Sequence, residues 1–250
     1  MMKAEWFISK GNYIQQGDRI VPLKNKLPYY MMKELFGGII SAVILILMSP
    51  IFIIIMILIK LDSPGPVIFS QTRIGSRRVK TTDGWQWEKV EFTFYKFRTM
   101  FHNSDPAIHK AYVEALIKND ESAMDEIQHT KTNIRKLIND PRITGVGKYL
   151  RKFSLDEFPQ FFNVLRGDMS IVGPRPALPY EVSLYQSWQL TRLQAKPGIT
   201  GLQQVSARCI KSFDEQVRYD LEYIRRQSLL LDLVIILKTP ISLLRAKGAR

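Results

Sequence analysis

The sequence predicts an α+β fold: a small membrane-associated domain of mostly short helices with a small β-hairpin or sheet, anchored by a long apolar helix with a Ser-Pro break. Three observations predict it. About 21 residues from Ile39 to Ile59 carry no charge, roughly 31 Å as a helix and enough to cross a bilayer core. Two β-prone stretches, Val67–Phe69 and Phe92–Phe97, are suited to pair as strands. From Asp140 to Pro179, closely spaced glycines and prolines imply a compact, loop-rich stretch with short helices.

The apolar run comes first. A soluble domain of this size would have to bury such a helix on every face, so insertion into a membrane is expected. Ser49-Pro50 falls at its middle, where proline removes a backbone donor and bends the helix. Both flanks are basic: Lys24, Lys26 and Lys33 lie before it, Lys60, Arg73, Arg77, Arg78 and Lys80 after it. Positive charge marks the cytoplasmic side of a membrane segment, and here it marks both ends. A kinked crossing and a helix that enters, breaks and returns to the same face both fit the residues. In the second arrangement Ser49 helps to satisfy backbone groups freed by the proline.

The 250 residues carry a net charge of +13. Beside an apolar segment this reads first as attraction to anionic head groups or to small polyanions. A nucleic-acid binder would rest on that charge alone, because no recognition module is visible. Cys209 is the single cysteine, so no intrachain disulfide forms and its expected place is a small buried site. The apolar run begins nearly 40 residues in, without a small-residue cleavage site after it, and is expected to stay in the protein.

Taken in order, residues 1–32 form an arm of unassigned role, with a short hairpin expected around Gly17-Asp18. Residues 33–61 are the membrane helix and 62–245 the remaining domain, followed by a basic tail at 246–250. Asp62-Ser63-Pro64-Gly65-Pro66 is a sharp turn, and Ser76–Lys89, with Trp85 and Trp87, reads as an exposed loop. Residues 102–138 are an acidic insertion of one or two surface helices. It holds or borders all three histidines, His102, His109 and His129, whose spacing matches no metal site. Arg218–Arg226 is expected to be helical. Leu229–Leu244, interrupted by Asp232, Lys238 and Pro240, is too short and polar to span a membrane and is expected in the core or on the membrane surface.

The chemistry concentrates between Asp140 and Pro179. In Ser154-Leu155-Asp156-Glu157, Ser154 and Glu157 fit a helix-capping box. The neighbours suggest more. Arg151, Lys152, Arg166 and Arg175, with Lys96 and Arg98 at a strand end, surround this carboxylate pair with cations. One carboxylate can attack phosphorus, the other can hold Mg²⁺, and cations can hold the non-bridging oxygens. In Gly173-Pro174-Arg175-Pro176, flanking prolines fix the backbone that presents an arginine.

These stretches resemble the bacterial sugar transferase family, the monotopic polyprenyl-phosphate sugar-1-phosphate transferases. The resemblance is carried by the Ser49-Pro50 segment, DSPGPVIFSQTRIG, YKFRTM, DPRIT, LRKFSLDEFPQFFNVLRGDMSIVGPRP and KPGITGLQQVSAR, in family order over residues 33–245. It implies that Asp156 attacks the β-phosphorus of a UDP-sugar and releases UMP, and that undecaprenyl (polyprenyl) phosphate then takes the sugar phosphate from the covalent intermediate. Glu157 becomes the Mg²⁺ ligand. Lys96, Arg98, Arg151, Arg175 and Arg208 become phosphate or nucleotide contacts. The family's Ser-Pro break implies a re-entrant helix, which places the catalytic domain on the cytoplasmic face of the bacterial inner membrane. The implied partners are the UDP-sugar, the polyprenyl phosphate and membrane lipids, with no nucleic acid and a homo-oligomer left open. Two other readings are a membrane-bound glycosyltransferase that releases UDP and an inactive scaffold, against which intact Asp156, Glu157 and Arg175 argue.

Overall fold

The computed structural model describes residues 15–16, 19–20, 26–82, 84–128, 140–206 and 212–245, with backbone only at 15–16, 19–20 and 244–245. Two short strands, β1 (Gln15–Gln16) and β2 (Arg19–Ile20), pair antiparallel, as expected for a hairpin around Gly17-Asp18. The helix α1 runs from Leu27 to Asp62, starting six residues before the expected boundary. Pro28 occupies its first turn, where a missing N–H costs nothing and the fixed φ favours the helix. Pro50 lies inside it and cannot donate to the carbonyl four residues back, that of Ile46. Ser49 Oγ donates to that carbonyl instead, at 2.8 Å.

Helix α1 is long and apolar enough to cross a membrane, and little of it is buried. Its buried residues are Gly37, Ser41, Ile55 and Ile59, while Ile46 and Leu47, next to the break, are among its most exposed. Both arms nevertheless fasten to the same domain. In the first, Tyr29 Oη donates to Asp232 at 2.9 Å, Lys33 pairs with Asp232 at 3.0 Å, and Tyr30 Oη donates to Gln227 at 2.7 Å. In the second, Phe52, Ile55, Met56 and Ile59 pack with Phe97, Leu150, Leu155 and Phe158.

After the Asp62–Pro66 turn, β3 (Ile68–Thr81) and β4 (Gly84–Phe97) form one long hairpin, in register from Ile68↔Phe97 to Thr81↔Gly84. The sheet order is β1-β2-β4-β3. The inner ends confirm the expected strand pair, but Ser76–Lys89 is not a loop. Its charges disguise a paired strand segment in which Arg77 meets Glu88 across the strands at 3.2 Å. Trp87 turns inward, 1% exposed and edge-on to Tyr30. The acidic insertion is helical as expected, with α2 (Ala107–Ile117) and α3 (Glu121–Gln128); residues 129–139, including His129, lie outside the described residues.

Helix α4 (Gly145–Phe153) precedes a single 3-10 turn at Leu155–Glu157, then α5 (Gln160–Leu165). Strand β5 (Ser170–Val172) is followed by α6 (Pro179–Ser183), β6 (Gly198–Thr200) and α7 (Leu202–Ser206). Strands β5 and β6 pair in parallel as a second, small sheet. Helices α8 (Phe213–Arg226) and α9 (Leu229–Arg245) complete the described chain. Helix α9 buries Asp232 and Ile235 and exposes Leu230, Leu233, Leu237 and Ile241, a helical spacing that puts the four on one face. The fold is thus a mixed helix and small-sheet domain with one long apolar N-terminal helix.

Asp232 joins α1 to α9 and, through the Tyr223 hydroxyl at 2.7 Å, to α8. Removing one member of a buried pair strands the other charge. Asp232→Ala is therefore expected to lower unfolding free energy by about 3 kcal/mol; denaturant unfolding in detergent checks this, and Asp232→Asn should lose less.

Candidate active site

Helix α4 begins where Thr144 accepts a hydrogen bond from the Gly147 N–H at 3.0 Å. A Cβ on Gly147 would lie 2.1 Å from the Thr99 carbonyl, so only glycine lets α4 press this closely on the chain leaving β4. The same contact zips Phe101 N to Arg142 O at 2.8 Å and Thr144 N to Thr99 O at 3.1 Å. Asp140 holds Arg142 through both carboxylate oxygens, at 2.8 and 2.6 Å. The Tyr95–Met100 and Asp140–Thr144 stretches, far apart in sequence, are therefore one structural unit.

Ser154 ends α4 in the left-handed region, at φ 55°. This turns the chain sharply into the 3-10 turn that carries Asp156 and Glu157. The expected capping box is not made, since the Ser154 side chain caps no backbone N–H there. Leu155 and Phe158, on either side of the carboxylates, pack into the cluster that holds the second arm of α1. Asp156 is 6% exposed, and its carboxylate lies 4.0 Å from Lys96 Nζ on β4. The approach is set by Asn163 of α5, which accepts from Tyr95 N at 3.1 Å and donates to Thr93 O at 2.7 Å.

Burial pushes the Lys96 pKa below the usual lysine value, with Arg175 and Arg151 adding to the depression while Asp156 and Glu157 oppose it. Five of the predicted groups therefore share one electrostatic neighbourhood: Lys96, Arg151, Asp156, Glu157 and Arg175. Arg175 is exposed between two buried stretches, Val172–Pro174 and Pro176–Leu178. A Cβ on Gly173 would lie 2.3 Å from the Lys196 carbonyl, which fixes the loop against the Lys196–Gly201 motif. Arg98 has a different position from the one expected. It is 4% exposed and donates to the Ser63 carbonyl at 2.6 Å, to Ser63 Oγ at 3.0 Å and to the Pro64 carbonyl, fastening the end of α1. Arg208 and Cys209 lie outside the described residues.

Two residues near the cations escaped sequence reasoning. Arg73 of β3 is buried and donates to the Pro176 carbonyl at 3.1 Å; its position in the QTRIG stretch was the available signal. His109 of α2 lies with Nδ1 3.2 Å from the Tyr180 hydroxyl. Burial, reinforced by Arg73, Arg175, Arg142 and Lys96, pushes its pKa down to about 4. Among the described residues no three His, Cys, Asp or Glu side chains converge as a metal cage. The adjacent Asp156-Glu157 pair nevertheless suits Mg²⁺, which commonly takes one or two carboxylates and completes its shell with water and substrate phosphate.

With this geometry in view, the bacterial sugar transferase family profile matches residues 28–246. The chain belongs to the bacterial sugar transferase family. It is 38% identical over 219 residues to the exopolysaccharide production protein ExoY of Rhizobium meliloti, covering 88% of each chain. It is 40% identical over 218 residues to an undecaprenyl-phosphate galactose phosphotransferase of Salmonella typhimurium, covering 87% of this chain and 41% of that one. A UDP-glucose:undecaprenyl-phosphate glucose-1-phosphate transferase of Klebsiella pneumoniae is 41% identical over 218 residues, with 84% and 39% covered. Members of the family thus carry this region alone or within chains more than twice as long.

His109 titrates in a definite direction. Its folded pKa lies below the ordinary value of about 6.5, so between pH 6.5 and 4 the unfolded chain binds more protons. Stability contributed by neutral His109 is complete above that window and lost as pH falls through it. His109→Gln is expected to flatten the fall in melting temperature between about pH 7 and pH 5, as followed by thermal unfolding.

Proposed function

We propose that this chain transfers sugar-1-phosphate from a UDP-sugar to undecaprenyl (polyprenyl) phosphate and releases UMP. This would begin assembly of a surface polysaccharide or glycoconjugate. The observation that carries the reading is the buried Asp156 carboxylate, 4.0 Å from Lys96 and within the field that Arg175 and Arg151 exert on that lysine. A carboxylate so placed can approach a phosphorus whose oxygens are neutralised by cations. Relatives named for transfers to undecaprenyl phosphate match 87% and 84% of this chain, which supports the reading.

In the proposed sequence an Asp156 oxygen bonds to the β-phosphorus. The bond from that phosphorus to the oxygen bridging the α-phosphate breaks, and UMP leaves with the bridging oxygen. An oxygen of polyprenyl phosphate then attacks the same phosphorus, the aspartyl bond breaks, and the Asp156 carboxylate is restored. Lys96 and Arg175 offset the charge that accumulates on the phosphoryl oxygens. Glu157 would hold Mg²⁺, which when bound supplies further neutralisation at the diphosphate.

The re-entrant arrangement of α1 belongs to the same proposal. Residues 29–33 and 52–59 dock on one polar domain, and a helix passing straight through a bilayer would carry one of these sets away from it. Exposed Ile46 and Leu47 beside Ser49-Pro50 would then form the deepest point of entry, with the domain on the cytoplasmic face. The exposed row Leu230, Leu233, Leu237 and Ile241 of α9 would lie on the membrane surface.

The test is nucleotide release from protein in nanodiscs supplied with Mg²⁺, undecaprenyl phosphate and a panel of UDP-sugars. Lipid-dependent UMP is expected, and UDP in its place would indicate ordinary glycosyl transfer. Asp156→Asn is expected to reduce turnover at least about 10³-fold with unchanged membrane association; substantial residual rate would remove Asp156 as nucleophile. Pro50→Ala is expected to shift α1 towards full crossing. Protease accessibility of the two ends in sealed vesicles reports that change, and unchanged accessibility would show the proline to be dispensable.

A further inference from the structure

Arg73 is a buried cation that the proposed reaction leaves without a task. The residue is 7% exposed, and its guanidinium lies 5.2 Å from the centre of the Phe94 ring with no ion-pair partner among the described residues. Nη1 donates to the Pro176 carbonyl at 3.1 Å and Nη2 to Gln71 Oε1 at 3.0 Å, while the buried Nε has no partner there. The next residue, Ile74, donates its N–H to the Ala177 carbonyl at 2.8 Å. Two consecutive carbonyls directly after Arg175 are therefore held by β3. On the other side, Gly198 N donates to Pro174 O and Gly173 N to Thr200 O, each at 2.8 Å. The arginine-bearing loop is clamped between two strands, with Arg175 outermost.

Holding a carbonyl does not need a charge; a neutral amide could do it. Burial, aided by the neighbouring Arg175 and opposed by the Glu181 carboxylate, lowers the Arg73 pKa to about 10, so the side chain remains a cation at neutral pH with another cation in its field. A buried charge with no carboxylate in direct contact is costly even with Glu181 in its field, and its own field reaches further through protein than through water. The cost is offset if an anion binds nearby.

Resting on the transferase reading, we propose that Arg73 is a positioning residue for the donor's diphosphate: it seats Arg175 through the Pro176 carbonyl and adds buried positive charge behind it. Arg73 acts through the loop and through its field rather than by touching the reacting atoms. Charge and fork geometry then have separable effects. Lysine keeps the first, glutamine keeps part of the second.

The experiment measures equilibrium binding of UDP to full-length wild type, Arg73→Gln and Arg73→Lys in nanodiscs, between about 50 and 300 mM KCl. Arg73→Gln is expected to weaken UDP about tenfold at low salt, with the difference shrinking as salt rises. Arg73→Lys, which keeps the charge and gives up the fork, is expected to bind more weakly than wild type but to lose clearly less than Arg73→Gln at low salt. Folded Arg73→Gln with wild-type affinity and salt dependence overturns the proposal. So do equal losses in both variants with an unchanged salt slope, which is the pattern of a packing role. If Arg73→Gln does not fold, Arg73→Lys decides: a folded Lys variant more than about tenfold weaker overturns the charge role. Wild-type protein that binds no UDP would overturn the transferase reading, and this proposal with it.

Discussion

One polar domain holds both ends of an apolar helix, and the rest of the structure follows from that constraint. Helix α1 exposes Ile46, Leu47 and Leu61 almost as an isolated helix would, yet its two arms are fixed by different chemistry. The first uses buried polar groups, with Asp232 receiving Tyr29, Lys33 and Tyr223. The second uses aliphatic and aromatic packing around Phe52, Ile55 and Ile59. Polar anchoring is directional and fixes rotation about the helix axis, while the apolar cluster removes hydrocarbon surface from water. Arg98 completes the fastening by taking the Ser63 and Pro64 carbonyls of the turn just beyond the helix end.

The cluster around Asp156 and Lys96 depends on close backbone approaches as much as on its charged residues. Gly147 lets α4 press against the chain after β4, which brings the Asp156 turn beneath Lys96. Gly173 lets the Arg175 loop press against the segment before β6. A side chain at either position would collide with backbone, and backbone cannot step aside as a long side chain can. Motifs far apart in sequence thus specify a few backbone contacts, and the charges converge because those contacts are made.

Much of this was legible beforehand, for identifiable reasons. The apolar run, the inner strand pair and the Asp156-Glu157 pair among cations all announce themselves through local pattern. The outer half of the β3–β4 hairpin did not, because Arg77, Lys80, Glu88 and Lys89 gave it a loop's composition although strand pairing buries Gln86 and Trp87 within it. Ser154-Leu155-Asp156-Glu157 suggested a capping box, but Ser154 adopts a left-handed conformation that no short pattern announces. Arg98 and Arg73 show the general difficulty: a sequence reveals which residues carry charge but not which carbonyls will claim it. Arg98 is claimed by the end of a helix and Arg73 by the loop beneath Arg175.

The position of the carboxylates relates the anchor to the chemistry. Leu155 and Phe158 belong to the apolar cluster that seats the second arm of α1, while Asp156 between them meets Lys96 from β4. The turn therefore lies on a seam, with the apolar helix α1 on one side and the cations on the other. On the proposed reading, a water-soluble nucleotide sugar reaches that seam from the charged face and a lipid-borne phosphate reaches it along the apolar one. Each substrate then keeps to the solvent that suits it until the reacting phosphorus is bound. A helix fastened to the domain at both arms supports such a seam, because the depth of the carboxylate pair is fixed by the same contacts that hold the helix.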